Sequence, residues 1–142
     1  MTDDDRQKAG MKIRREVLGD AHVDRAVAGT TPFNAPFQDF ITRNVWGDIW
    51  ARPGLDRRTR SAITLAILTA LRAESEIELH VRAALRNGLT RDEIAEVLLH
   101  SAVYAGIPAA NAALAIAIRT LDSIDQATNV EAANHPAQEE NR

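Results

Sequence analysis

Apolar residues recur along this chain at intervals of three and four, which is the spacing of one face of an α-helix. The first segment with this spacing runs over residues 3–18, where Ala9, Ile13 and Val17 share a face and Gly19 follows as a stop. No segment alternates apolar and polar residues as a half-buried strand does. The pattern therefore predicts an all-α fold.

Turn-forming residues divide the next part of the chain into further helices. A short helix is predicted over residues 23–28, and the sequence Gly-Thr-Thr-Pro ends it. Asn34 suits the N-cap of a third helix, because its side chain can accept a hydrogen bond from a free backbone N–H. Pro36 fits the first turn of that helix, which ends before the Arg-Pro-Gly turn at 52–54.

The helix predicted from Asp56 to Leu71 is expected at the centre of the fold. Asp56 can cap its N-terminus. Residues 61–71 are apolar on nearly every side, which is typical of a helix buried in a core. The last predicted helix, Pro108–Ile124, begins with a proline in its first turn and is rich in alanine, so its neighbours can approach closely.

Residues 73–106 predict two helices joined by a tight turn. Asn87-Gly88 ends the first helix, because glycine adopts the left-handed backbone conformation without a steric penalty. Thr90 and Glu93 have the spacing of a capping box at the start of the second. We expect the two helices to lie antiparallel and to pack as the central hairpin of a single-domain bundle of about six helices.

A narrow polar stripe runs beside the apolar face of each hairpin helix. On the first helix it contains Glu76 and His80, which are four positions apart, so the carboxylate can orient one imidazole nitrogen. On the second helix it contains His100 and Tyr104. These four side chains are the candidates for chemistry.

The predicted domain covers residues 1–126. Residues 127–142 show no apolar period and are predicted to form a disordered tail. Leu99 and Val103 form a second apolar strip on the second hairpin helix. Because a helix with two apolar strips usually has two neighbours, we expect the second neighbour to be another subunit.

Composition excludes several classes of function. The 142 residues carry a net charge of −3, which argues against a nucleic-acid partner. The absence of cysteine excludes thiol catalysis, and the histidines lack metal-binding spacing, so no metal site is predicted. The first residues are acidic rather than a secretory signal, and no apolar stretch reaches about 20 residues without a charge. We therefore expect a cytoplasmic protein that does not cross a membrane.

Short sequences in a fixed order resemble the carboxymuconolactone decarboxylase family. They are Leu18-Gly-Asp-Ala-His22-Val-Asp, Trp50-Ala-Arg-Pro-Gly-Leu, Glu78-Leu-His80, Asn87-Gly-Leu-Thr and Tyr104-Ala-Gly-Ile-Pro108-Ala-Ala. The similarity runs from Lys8 to Ile124. Alkylhydroperoxidase-like proteins share this fold and use a Cys-x-x-Cys pair. The corresponding residues 73–76 contain no sulfur here, which excludes that chemistry.

The resemblance implies a cofactor-free lyase of the protocatechuate branch of aromatic catabolism. The implied reaction converts 4-carboxymuconolactone, a lactone dicarboxylate, to 3-oxoadipate enol-lactone. The electron pair left by CO2 delocalises onto the lactone carbonyl, so no coenzyme is required. The resemblance also implies a homo-oligomer, a hexamer built from trimers or dimers.

For this reaction the protein must bind a dianion, stabilise an oxyanion and deliver a proton to a ring carbon. His80 is the first candidate for the proton donor or oxyanion partner, with Glu76 orienting it. His100 and Tyr104 are second candidates, as hydrogen-bonding or proton-relay groups. The alternative role of each histidine is in the core or at a subunit contact.

Arginine binds carboxylates in a bidentate manner, and two arginines flank the turn before the helix predicted to be buried. Arg52 and Arg60 are therefore the candidates for the substrate clamp, with an interface ion pair as the alternative. Trp46 and Trp50 are the candidates for a wall against the flat lactone, with packing in the core or an interface as the alternative.

Two other functions remain open at this point. One is a non-catalytic helical oligomer that binds small molecules or partner proteins. It predicts that the two polar stripes face water singly instead of converging on a pocket. The other is a related lyase or hydrolase for a different lactone acid, which these sequence features do not distinguish from the first.

Overall fold

The computed structural model describes residues 1–135 and contains seven α-helices, with no strand in that part of the chain. The helices are α1 (Asp3–Leu18), α2 (Asp20–Ala28), α3 (Ala35–Phe40), α4 (Arg57–Ala70), α5 (Ile77–Arg86), α6 (Arg91–Ala105) and α7 (Ile107–Asn134). A π-helical segment, Ile41–Ile49, continues α3, and a 3-10 turn, Glu74–Glu76, precedes α5. The all-α prediction is confirmed.

Two of the three predicted helix caps are present. The Asp56 carboxylate accepts a 2.7 Å hydrogen bond from a backbone N–H in the first turn of α4. Thr90 and Glu93 each accept a hydrogen bond from the other's backbone N–H, at 3.0 and 3.1 Å, and form the predicted capping box. Asn34 occupies the predicted N-cap position of α3, but the expected capping hydrogen bond is absent, because its side chain accepts from the N–H of Thr31, before the helix.

Helix α5 joins the two hydrophobic clusters of the fold. On one side, Ile77 and Val81 are fully buried against α4, α6 and α7. On the other side, Ala83 is fully buried in a cluster with Val23 of α2 and Trp46 of the π-helical segment. The side chains of α5 are therefore held from two directions, which fixes the position of the polar stripe between them.

Helix α4 is not the central buried helix that its sequence predicts. Leu65 is fully buried, but Ile63, Ile67 and Leu71 are 43%, 50% and 73% exposed. Within residues 1–135, no helix lies across the outer face of α4. Its apolar side chains therefore form part of the surface of this chain.

The predicted packing of α5 directly against α6 is also wrong. Contacts between these two helices are sparse, and α6 packs chiefly on α4 and α7. The space between α5 and α6 is filled by Leu65 of α4 and by Ala113 and Ala117 of α7. Small alanine side chains let α7 approach closely enough to separate the two helices.

Helix α1 and the π-helical segment approach each other closely at two glycines. A Cβ on Gly10 would overlap the carbonyl oxygen of Thr42, and a Cβ on Gly47 would lie 2.9 Å from a carbonyl oxygen of α1. Below this contact the Arg14 guanidinium is buried and donates to Thr42 Oγ1 at 3.3 Å and to Gln38 Oε1 at 2.9 Å.

Helix α7 is longer than predicted. It continues to Asn134, ten residues beyond the predicted end at Ile124, so residues 127–134 are helical where a tail was expected. Residues 136–142 of that tail lie outside the described part of the chain. By length and composition α7 also resembles a membrane span, because an 18-residue window within it has a mean hydropathy of 1.2. Its inner alanine face, however, packs in the core of this chain.

Candidate active site

A polar cleft of about 370 Å³ opens between α2 and the start of α5. Its lining residues are His22, Arg25, Ser75, Glu76, Glu78, Leu79 and Arg82. The volume falls within the range of about 300–1,000 Å³ that is typical of small-molecule sites. No group of three or more histidine, aspartate or glutamate residues in 1–135 is arranged to hold a metal ion. The cleft therefore combines imidazole, guanidinium and carboxylate groups for binding an organic ion.

His80 directly follows the cleft residue Leu79 and lies one turn of α5 after Glu76. Its Nδ1 atom is buried and has no hydrogen-bond partner among residues 1–135. Buried polar atoms without a partner are rare in folded proteins, so this imidazole is available to a molecule that reaches it. The predicted orienting hydrogen bond from Glu76 is absent from the described chain, and Glu76 acts on the imidazole through its charge.

Burial is the largest cause that lowers the pKa of both imidazoles of this site. Burial lowers the pKa of His80; Glu76 raises it and His22 lowers it further. Burial also lowers the pKa of His22, as do Arg14, Arg25 and Arg86, while Glu76 raises it. An anion placed in the cleft would oppose these effects and favour protonation of the imidazoles, because opposite charge stabilises the charged form.

His22 and Arg25 were not among the sequence candidates. Arg25 lies three residues after His22 on α2, but nothing along the sequence shows that these two side chains face α5, because that approach is a product of tertiary packing. The available signal was the sequence Leu18-Gly-Asp-Ala-His22-Val-Asp, which carries part of the family resemblance.

His100 and Tyr104 lie in a different cleft from His80 within one chain. Their rings are 5.1 Å apart on the outer face of α6, and Tyr104 is 81% exposed. Together with Ile67 of α4 they line a shallow cleft of about 250 Å³. A single chain therefore does not bring the two predicted polar stripes together on one pocket.

The predicted clamp and wall residues lie around a third cleft. Arg60 and Trp50 line it, and Arg60 donates a 3.2 Å hydrogen bond to the carbonyl oxygen of Arg52. The side chain of Arg52 is exposed. Trp46 is buried in the α1–α2 cluster with its ring 5.2 Å from that of Trp50, so it is a packing residue in this chain.

The cleft of His100 and Tyr104 and the cleft of Arg60 and Trp50 lie along the same apolar side of α4. Another shallow cleft, which Ile63 and His100 line, connects them. This side of the molecule also carries the exposed residues Ile67 and Leu71. His100, Tyr104, Arg60 and Trp50 therefore line clefts on this apolar side, separate from the polar cleft next to His80.

Comparison with known proteins identifies the family to which this chain is similar. Residues 35–119 match the model of the carboxymuconolactone decarboxylase family. The 4-carboxymuconolactone decarboxylase of Acinetobacter baylyi is 50% identical over 117 residues, which cover 82% of this chain and 87% of that protein. Nitrosuccinic acid decarboxylase npaB of Metarhizium robertsii is 43% identical over 118 residues, which cover 82% of each chain. A 4-carboxymuconolactone decarboxylase of Pseudomonas putida is 52% identical over 48 residues, which cover 34% of this chain and 100% of that protein.

The matched region contains every candidate site residue that the sequence predicts, from Trp46 to Tyr104. Both relatives that align over most of this chain are named as decarboxylases. The protein is accordingly a carboxy-lyase, and the non-catalytic alternative is set aside. The chain belongs to the carboxymuconolactone decarboxylase family.

Proposed function

We propose that this carboxy-lyase removes the γ-carboxylate of 4-carboxymuconolactone and releases 3-oxoadipate enol-lactone and CO2, within the protocatechuate branch of aromatic catabolism. The observation that carries the proposal is the α2–α5 cleft, which Arg25, Arg82 and the imidazole of His22 line next to the half-buried His80. The 50% identity with the Acinetobacter baylyi enzyme supports this substrate.

The proposed reaction balances without a coenzyme. The bond between the γ-carbon and its carboxylate breaks, CO2 leaves, and the electron pair delocalises through the ring C=C bond onto the lactone oxygen. The dianionic substrate thereby becomes a furanolate with one carboxylate and one oxyanion. A proton added to a ring carbon then gives the enol-lactone. The substrate itself is the electron sink, so the protein supplies binding, charge stabilisation and the proton.

The proton step suits His80. Because burial lowers the pKa of this imidazole, it is neutral at neutral pH when the cleft holds no anion. The two negative charges of the substrate would favour the imidazolium form as the substrate binds. That proton would stabilise the oxyanion as it develops and would then pass to the ring carbon. Glu76 favours the imidazolium form in the same direction.

Nitrosuccinate is a second candidate substrate, because the Metarhizium robertsii relative carries that name and is 43% identical. Nitrosuccinate also bears two carboxylates, and the nitro group can accept the electron pair that CO2 leaves behind. The guanidinium of Arg25 and the imidazole of His22 in the cleft suit both dianions, because each substrate carries two carboxylates.

Turnover of the purified protein tests the proposal. Chelator-treated protein should release one CO2 for each 4-carboxymuconolactone consumed, whereas a matched lactone without the γ-carboxylate should release none. Nitrosuccinate is assayed in parallel. A higher kcat/KM for nitrosuccinate than for 4-carboxymuconolactone would identify nitrosuccinate as the preferred substrate. Absence of turnover with both dianions, in protein shown to be folded, would contradict the assigned substrates.

We also propose that the protein is a homo-oligomer, with a hexamer as the implied assembly. The support is the set of exposed apolar side chains on α4 and α6, namely Ile67 and the following Leu71 at the end of α4, and Leu99 and Val103 of α6, all of which are at least half exposed. An apolar groove of about 390 Å³ between α6 and α7 continues this surface. Contiguous apolar surface of this kind is typical of subunit contacts.

The substitution Ile67→Arg should reduce the mass of the assembly in solution, because it places a charge in the centre of the proposed contact. Val130→Arg is the matched control, since Val130 is 59% exposed near the end of α7 and far along the chain from this surface. Light scattering after size exclusion measures the mass, and circular dichroism checks the fold. An unchanged mass for Ile67→Arg would contradict the proposed contact.

A further inference from the structure

Two side chains of α2 face the same cleft as the polar stripe of α5. His22 and Arg25 lie one turn apart on α2 and line the cleft opposite Glu76 and Arg82. Neither has a side-chain hydrogen bond or ion pair within residues 1–135. The α2 wall of the cleft therefore presents a free guanidinium and a free imidazole.

Three arginines and one carboxylate, that of Glu76, act on the imidazole of His22, so positive charges outnumber negative ones around it. The guanidinium groups of Arg14, Arg25 and Arg86 all lie close enough to act on the His22 imidazole. Arg14 is buried and donates to the neutral oxygens of Thr42 and Gln38, and Arg86 donates to a backbone carbonyl oxygen at 3.1 Å. None of the three arginines pairs with a carboxylate among the described residues.

The other guanidinium of the cleft is already engaged. Arg82 is 3.3 Å from the carboxylate of Glu78 and donates to the hydroxyl of Ser123 at 3.3 Å. Arg60, in the separate cleft beside Trp50, donates to a backbone carbonyl oxygen. Among the arginines that line these two clefts, Arg25 is the one without a partner in the described chain.

We propose that Arg25 binds a carboxylate of the substrate and that His22 is a second imidazole contacting the same anion, so that α2 supplies one wall of the active site. The ligand class is a small dicarboxylate, and the identity of the reacting lactone rests on the proposed function. The clamp is thereby assigned to Arg25 in place of Arg52 and Arg60. The cations around His22 would be compensated by the bound anion, which the protein alone does not provide.

Kinetics of Arg25→Gln test the carboxylate contact. We expect KM to rise about 10- to 100-fold, the effect of losing one charge-assisted hydrogen bond, with a smaller change in kcat. Arg25→Lys should recover part of the loss, because it restores the charge without the planar fork. Arg91→Gln is the control, since Arg91 pairs with Asp125 away from the cleft. A KM for Arg25→Gln equal to that of the control overturns the proposal.

Binding of succinate gives a second test that does not depend on turnover. In the wild-type protein, succinate should shift the imidazole NMR signals of His22, while the exposed His135 at the end of α7 serves as an internal reference. Arg25→Gln should weaken succinate binding at least about 10-fold. If the protein decarboxylates neither dianion but binds succinate through Arg25, the proposed function fails and this inference stands. If His22 moves no more than His135, the assignment of His22 is wrong.

Discussion

The substitution His80→Ala is expected to lower kcat by at least about 100-fold, because a general acid contributes about 10²–10⁴-fold to rate. The fold should persist, since His80 Nδ1 has no hydrogen-bond partner to lose in the described chain. A purely structural histidine would show the opposite pattern, with a loss of stability and a proportionate loss of active protein. The measurement is kcat under saturating substrate, together with circular dichroism and a denaturation curve on the same sample.

The matched control for His80→Ala is His135→Ala. His135 is exposed at the end of α7, and its Nδ1 lies 3.3 Å from the carbonyl oxygen of Glu131 in the same helix. His100→Ala provides the comparison between the two clefts, because His100 lies on the apolar surface of α6. A His80→Ala enzyme with the kcat of the wild type would remove His80 from the mechanism.

The local features of the fold could be predicted because they are encoded by neighbouring residues. The capping box of Thr90 and Glu93 and the cap at Asp56 depend on residues three positions apart, and both are present. The centre of the fold depended on tertiary packing and was assigned to the wrong helix. Ile63 and Ile67 of α4 have the same chemistry whether they face a core or another subunit, so the pattern alone does not separate the two cases.

The candidate site likewise contains residues that the sequence identifies and residues that only tertiary packing brings together. Glu76 and His80 could be singled out because they lie four positions apart along the sequence; Glu76 lines the α2–α5 cleft, and His80 directly follows the cleft residue Leu79. His22 and Arg25 come from a distant part of the chain, and nothing along α2 indicates that they face α5. The π-helical segment around Trp46 was likewise not predictable from the sequence. Its backbone hydrogen bonds join residues five positions apart instead of four, which changes the face on which each side chain lies, whereas the spacing of apolar residues along the sequence stays the same.

The substitution Gly10→Ala is expected to destabilise the protein by about 3 kcal/mol, although the same change in an ordinary helix interior stabilises by about 0.5–1 kcal/mol. The sign reverses because a Cβ at Gly10 overlaps the backbone carbonyl oxygen of Thr42 and lies 2.9 Å from the backbone nitrogen of Gly47. Neither atom can move without shifting the π-helical segment relative to α1. Urea denaturation measures the loss.

Gly54→Ala is the control for this prediction, because a Cβ at Gly54 meets no atom within 4 Å, and its effect should stay within about 0.5 kcal/mol. The substitution at Gly10 should also weaken substrate binding at the active site. Arg14, one turn further along α1, is buried against Thr42, and α1 leads directly into α2 with His22. KM should therefore rise in the folded fraction of Gly10→Ala and remain unchanged in Gly54→Ala. A Gly10→Ala protein as stable as the wild type would show that α1 and the π-helical segment are further apart than described.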